Sequence, residues 1–191
     1  MSINNEEIIW SLFLQGDTNA FSLLFKKYYS SLYNYGLKLC NNSCVTEDCL
    51  QTFFVYLHDN RKTIGDVKNV KSYLFISFRR ALFTSLKKER NFTDFNSEKQ
   101  NSNSFAFSPE ELKIDQEISF AQTSSITLIL NTLSPREREV IYLKYYGELS
   151  MSEIATTMDI SYQSVLNTLQ KAFSKIRKTI ENNMLSAILK K

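Results

Sequence analysis

"SEIATTMDISYQSVLNTLQKAFSKI", residues 152–176, reads as two short amphipathic helices that meet at a three-residue turn. On a helical wheel, residues 161–178 divide cleanly. Val165, Leu169, Ala172 and Ile176 fall on one side, and Gln163, Asn167, Gln170, Lys171, Ser174 and Lys178 on the other. In the preceding helix Ile154, Ala155 and Met158 face inward, and Ala155 is small enough to let the two helices approach. Asp159 falls in the turn, where a left-handed residue is usual and Asp tolerates it better than most non-glycine residues. This is the pattern of a helix-turn-helix. Its amide-rich outer face suits a major groove, because Gln and Asn bond adenine N6 and N7 bidentately and Lys meets guanine or phosphate. The first residues of the second helix reach base edges in such motifs. Gln163, Ser164 and Asn167 are therefore the candidate base readers, and Lys171, Lys175 and Lys178 the candidate phosphate contacts. The competing reading is an ordinary surface helix of a bundle.

Three helix starts lie upstream. "SPEE" at Ser108 and "SPRE" at Ser134 each place Ser at the N-cap, Pro at the first helical position and Glu at the third; "SMSE" at Ser150 places Glu153 at the third. In each, the Ser oxygen satisfies an orphan amide while the Glu reaches back. Gly147 fits the position just past the helix that begins after Ser134. The second helix of the pair starts after Ser161.

Further out, "NFTDFNSEKQNSNSFAFSPEE" breaks every periodicity and is rich in Asn and Ser, so residues 91–107 read as a flexible linker. It separates an N-terminal module, residues 1–90, from a C-terminal one, residues 108–191. The N-terminal module offers four helices. One covers residues 6–15. The next follows Asp17, a good N-cap, and carries Phe21, Leu24, Phe25, Tyr28, Leu32, Tyr35 and Leu39 on one stripe. A third, over residues 46–58, has Cys49, Leu50, Phe53, Phe54 and Leu57 as its apolar face. The fourth, over residues 70–88, has a core stripe of Val70, Leu74, Phe78 and Leu82 and a second stripe of Tyr73, Ile76, Arg80, Phe83 and Lys87. Aromatics interleaved with cations suit single-stranded nucleic acid, since bases stack on rings while cations hold phosphates. A helix buried on two sides, with Arg and Lys snorkelling at its edge, is the competing reading.

Composition agrees with an all-α chain: 4 Gly and 2 Pro in 191 residues, 43% hydrophobic, and no Val/Thr-rich alternation. The net charge of +3 says little on its own; its distribution says more, although ordinary solvated helix faces are the competing reading. Basic stretches at residues 61–90 and 171–191 flank an acidic one, the arrangement expected of two polyanion-binding modules on a tether. No run of about 18 apolar residues exists, so no membrane segment is expected, and the acidic start lacks the plan of a signal peptide. A cytoplasmic protein is the expectation. Cys40, Cys44 and Cys49 read as core or semi-buried thiols, because their spacing and the single histidine, His58, fit no metal site. No cofactor is expected. An enzyme is not expected either: no glycine-rich phosphate loop, metal-ligand set or nucleophile elbow appears, and one histidine is little acid–base equipment.

At this point a family resemblance becomes specific. "LSPREREVIYLKYYGELSMSEIATTMDISYQSVLNTLQKAFSKIR", residues 133–177, resembles region 4 of sigma-70 factors, especially the extracytoplasmic-function group, and is also similar to the LuxR-type helix-turn-helix. The N-terminal module decides between them. "GDTNAFSLLFKKYYSSLYNYGLKL", residues 16–39, resembles sigma region 2.1. "TEDCLQTFFVYLHDNR", residues 46–61, resembles region 2.2 and matches its pattern at Glu47, Asp48, Gln51 and Phe54, departing at Thr52 (usually Glu) and His58 (commonly Trp). "SYLFISFRRALFTSLKKE", residues 72–89, resembles regions 2.3 and 2.4, with Arg80 where Asn is frequent. No autoinhibitory N-terminal region or extra C-terminal domain is expected.

The resemblance implies a four-helix region 2 module and a region 4 helix-turn-helix joined by the linker. It implies a subunit that directs core RNA polymerase to promoter DNA and assists melting. Asp48, Gln51 and Phe54 would dock on the β′ clamp helices. Arg61, Lys62, Tyr73, Arg79, Arg80, Phe83 and Lys87 would meet the opened minus-10 strand, with a flipped base held by residues 59–69. Region 4 would read the minus-35 element and touch the β flap. An anti-sigma factor is a further partner that the group admits. The alternatives are a LuxR-type regulator and a helical interaction adaptor that does not touch DNA.

Overall fold

The computed structural model describes residues 5–92, 105–108 and 120–189. Among these, every regular element is an α-helix: α1 (Asn5–Leu14), α2 (Thr18–Cys40), α3 (Ser43–Asp59), α4 (Arg61–Ile64), α5 (Val70–Phe92), α6 (Phe120–Asn131), α7 (Pro135–Tyr145), α8 (Met151–Met158) and α9 (Tyr162–Leu189). They belong to two compact units, Met1–Asn103 and Ser104–Lys191.

In the first unit, α2 starts where Asp17 accepts hydrogen bonds from the amides of Asn19 and Ala20. It stops at Asn41, which is left-handed (φ 52°), and Asn42 returns to extended backbone and caps α3 by accepting from the Val45 amide. Two asparagines thus make the whole α2–α3 turn, each using a conformation or a side-chain bond that most residues lack. The expected apolar faces of α2, α3 and α5 form one core. Leu32, Leu50, Phe78 and Leu82 are fully excluded from solvent. The stripes are shifted slightly at their edges. Phe25 remains 37% exposed, while Phe75, off the expected α5 stripe, is buried against Tyr35. Gly36 permits the close approach of three helices: a Cβ there would lie 2.8 Å from Thr46 Cγ2 and 2.9 Å from Phe78 Cζ.

Helix α1 closes the unit with Trp10 and Phe13, both buried. It is tied to α2 by Glu6, which accepts from Lys27 Nζ (2.6 Å) and from the Tyr28 hydroxyl. Burial alone would raise the Glu6 carboxyl, but these two donors outweigh it and hold it below its ordinary value. Of the thiols, Cys49 is buried, which pushes it up to about 11, and Cys40 is half-buried. Cys44 is exposed, contrary to expectation: it lies in the first turn of α3, on the side away from the core.

In the second unit both expected capping boxes are present. Ser134 and Glu137 start α7, and Ser150 and Glu153 start α8. The start expected at Ser108 runs into residues outside those described. The end of α7 differs in detail from expectation. Gly147 follows the C-cap Tyr146, but the left-handed residue is Glu148 (φ 51°). Gly147 is required sterically, since a Cβ there would lie 2.6 Å from the Leu143 carbonyl oxygen.

Phe105 and Phe107, at the end of the expected linker, are packed into this unit. Both are buried, with Phe105 5.4 Å from the Tyr142 ring and Phe107 5.9 Å from Tyr146. The Asn131 amide grips the Phe107 backbone at both ends, accepting from its N–H and donating to its C=O, each at 3.0 Å. Two phenylalanines supply apolar burial that an Asn/Ser-rich composition conceals.

Candidate nucleic-acid interface and docking face

The turn between α8 and α9 has the geometry that its sequence requires. Asp159 is left-handed (φ 55°, ψ 52°), the Ile160 amide donates to the Ala155 carbonyl, and the Ser161 hydroxyl accepts from the Ser164 amide at 3.1 Å. Val165, Leu169 and Ala172 are buried, while Gln163, Asn167, Gln170, Lys171, Ser174 and Lys178 are all exposed. Gln163 Nε2 donates to Asn167 Oδ1 at 3.0 Å, so the two amides form one ordered unit one turn long. The remaining Gln163 oxygen and Asn167 N–H groups are left for a base edge.

Two candidates on α9 have other work. The Ser164 side chain is half-buried, its hydroxyl 2.8 Å from Ser161 Oγ, and so serves the N-terminal cap. Lys175 Nζ lies 2.8 Å from Glu137 Oε2, across to the first turn of α7. Burial would raise the Glu137 carboxyl, but Lys175 and the Ser134 amide and hydroxyl together hold it below its ordinary value. A lysine held this way is a strut that fixes α9 against α7. Tyr162, exposed at the first position of α9, stands beside the candidate readers and was not among the expected residues; its place directly after the Ser161 cap was the available signal.

In the first unit, Asp48 and Gln51 are exposed on the outer face of α3 together with Val55 and Tyr56. Phe54 is not with them. It is 3% exposed, packed edge-on against Phe25 and Phe53, because its position on α3 faces α2. It supports the face without being part of it.

A groove of about 550 Å³ runs between α3 and α5, with Asp48, Thr52 and Tyr56 on one wall and Tyr73, Arg80 and Lys88 on the other. The structure therefore brings a candidate docking residue and two candidate strand residues to one groove. Tyr73 is half-buried, 5.5 Å from the Trp10 ring, and burial raises its hydroxyl. Phe83 lies off the groove with the Arg79 guanidinium 4.6 Å above its ring, and Lys87 is exposed. Residues 59–69 are less open than a loop. They contain α4, Arg61 Nη1 donates to the His58 carbonyl at 2.6 Å, and Trp10 Nε1 donates to the Gly65 carbonyl at 3.2 Å. Lys62 is exposed on α4.

Known proteins resemble this chain in both units. Residues 123–176 match the family described as sigma-70, region 4. The RNA polymerase sigma-E factor of Streptomyces avermitilis is 32% identical over 59 residues, which is 31% of this chain and 33% of that protein. The chain thus matches about a third of the length of that curated relative. Among solved structures, CnrH in complex with the cytosolic domain of CnrY is similar with a TM-score of 0.60 and 15% identity, over 94% of this chain and 99% of that one. The sigma factor RpoE of Bartonella quintana, in complex with the anti-sigma factor NepR, is similar with a TM-score of 0.57 and 17% identity, over 84% of this chain and 96% of that one. At these identities the structures speak to the fold. The helix-turn-helix thus lies within a stretch that is similar to sigma-70 region 4, and the helical fold is shared along most of the chain with solved sigma factors.

Proposed function

We propose that this chain is a dissociable sigma factor that directs bacterial RNA polymerase to specific promoters and helps to open them. The observation that carries the reading is the outward amide and lysine face of α9, which lies within the residues that match region 4. Gln163 and Asn167 would read the minus-35 duplex, and Lys171 and Lys178 would hold its phosphates. The exposed α3 face with Asp48 and Gln51 would dock on the β′ clamp helices, and region 4 would touch the β flap. Tyr73 and Arg80 at the groove, with Arg79, Phe83, Lys87, Arg61 and Lys62 beyond it, would line the path of the opened minus-10 strand. Capture of an unstacked base there offsets the few kcal/mol of unpairing, so melting needs no covalent chemistry. The RpoE structure is of a complex with an anti-sigma factor, and a similar inhibitor would suit this chain. No helix among the described residues is long and apolar enough to cross a membrane, and a polymerase partner would place its action in the cytoplasm.

The region 4 match favours this reading over a LuxR-type regulator, and an adaptor without DNA contact would leave the α9 face unexplained. Promoter-fragment binding with and without core polymerase tests it. Capture that depends on core enzyme is expected. Asp48→Lys is expected to weaken core binding by about 2 kcal/mol through charge misplacement at the interface. Gln163→Ala or Asn167→Ala should cost about 1–3 kcal/mol on the cognate minus-35 sequence and relax preference there. Tight, sequence-specific binding without core enzyme, unchanged by it, would overturn the reading.

A further inference from the structure

Phe105, Ala106 and Phe107 are buried, exposed and buried in succession, the alternation of an extended segment that lays one edge on a surface. That surface belongs to the second unit. Phe105 lies against Tyr142, and Phe107 meets both Tyr142 and Tyr146, whose rings are stacked 5.2 Å apart. The Asn131 side chain pairs with both backbone polar groups of Phe107, as a neighbouring strand would. Which way that amide faces is itself fixed, because Arg138 Nη1 donates to its oxygen at 3.2 Å. The same oxygen then takes the Phe107 N–H, and the amide nitrogen gives to the Phe107 carbonyl. Thirteen peptide steps join Phe92, the last residue of α5, to Phe105. Whatever its path, that stretch spans at most about 45 Å.

We infer that Phe105, Phe107 and Asn131, the last oriented by Arg138, limit how far apart two promoter elements can lie, because they fix where the connection between the units ends. This rests on the proposed reading of one element by each unit. Two joined modules bind together only where the connection can reach, and their effective concentration falls towards zero beyond that span. With the segment seated, the reach ends at Phe105. Freed up to Ser108, the connection gains three residues, about 10 Å. Each base-pair step rises about 3.4 Å along the duplex, so that length is worth about three base pairs. The gain is one-sided: a longer connection relieves a long spacer and does nothing for a short one. Composition alone would let the linker run on through residue 107; the two rings and the Asn131 clasp cut it short.

The test measures binding of holoenzyme, made with the full-length chain, to promoter duplexes whose spacer is changed in single base-pair steps, up to about three on either side of the optimum. Asn131→Leu keeps the size of the side chain and removes both bonds to Phe107. It is expected to speed hydrogen exchange at the Phe107 amide. On the longest spacers it should recover about tenfold of the affinity that the parent loses, with short spacers unchanged. A second variant, with Asn-Ser-Asn inserted after Asn101 and the Phe105–Phe107 segment intact, should extend the long side of the profile in the same way while Phe107 exchange stays slow. Gln163→Ala is the control for duplex reading. Three results would each overturn the inference: an insertion that extends the profile where Asn131→Leu does not, unchanged Phe107 exchange in Asn131→Leu, or a loss on all spacers alike, which would make Asn131 a support of the fold only. If neither variant moves the profile while Gln163→Ala weakens minus-35 binding, the inference fails and the promoter reading stands. If Gln163→Ala also has no effect, the promoter reading fails with it.

Discussion

Lys175 and its neighbours Lys171 and Lys178 all lie on α9, the helix proposed to face DNA, yet they should respond differently to removal. Lys175 is bound to Glu137, whose side chain is only 7% accessible against 50% for Lys175. A hydrogen bond between charged groups contributes about 1.5–3 kcal/mol. Solvent at the lysine end reduces that, and Glu137 keeps its Ser134 amide, so Lys175→Met should cost unit stability about 1 kcal/mol. The loss should appear as faster amide hydrogen exchange in the first turn of α7. On DNA the expectation runs the other way. A lysine already neutralised by a carboxylate releases no counterions from phosphate, so Lys175→Met should leave the salt slope of minus-35 binding unchanged. Lys171→Met and Lys178→Met should each reduce the slope by about 0.9, roughly a 3.5-fold change in affinity over a fourfold salt range. The assay is fluorescence anisotropy of holoenzyme on a minus-35 duplex between about 50 and 200 mM salt, paired with hydrogen exchange. A Lys175→Met variant that lowers the slope by about 0.9 while α7 exchange is unaltered would refute the strut and restore Lys175 as a phosphate contact.

Three further outcomes are expected. Tyr73→Leu should reduce open-complex formation about tenfold, the equivalent of ~1.4 kcal/mol of lost stacking, and a pre-melted bubble template should rescue it in permanganate footprints; a normal opening rate, or a defect the bubble leaves untouched, counts against the strand path. Gly36→Ala should destabilise the first unit, because overpacking against the fully buried Thr46 and Phe78 (about 1–3 kcal/mol) exceeds the ~1 kcal/mol that Ala gains in helix propensity; denaturation followed by the fluorescence of the single tryptophan, Trp10, decides the sign. Glu6 has its carboxyl lowered from 4.5 in the folded state, so its contribution is complete above that value and is lost as pH falls through the folded one; Glu6→Gln should therefore destabilise at pH near 7 and make progressively less difference well below pH 4.5.

What was legible in the sequence was local. The Ser134 and Ser150 capping boxes, the Asp17 cap and the left-handed Asp159 depend on residues within four positions of each other, and each formed as read. The inward and outward faces of α9 followed from periodicity. What escaped depends on where a second element lies. Phe54 falls on the expected apolar face of α3, so its burial was legible, whereas the docking role that the resemblance gave it does not fit a side chain covered by α2. Lys175 looks solvated until Glu137, 38 residues away, is brought beneath it. Phe105 and Phe107 look like part of a tether because their partners, Asn131, Tyr142 and Tyr146, come later in the chain. The α3–α5 groove is a property of two helices and has no signature in either.

Helix α9 runs unbroken through 28 residues, about 42 Å, and the proposed base readers occupy only its first two turns. It is clamped near the middle, where Ala172 is buried and Lys175 is tied to α7. Mechanically this is a beam on a pivot. Gln163 lies nine residues from Ala172, about 14 Å, so a tilt of about 10° would displace the reading end by about 2.4 Å, enough to break a hydrogen bond to a base. Under the proposed function, a regulator that grips the distal turns would therefore have leverage over promoter choice without covering any of the proposed base readers.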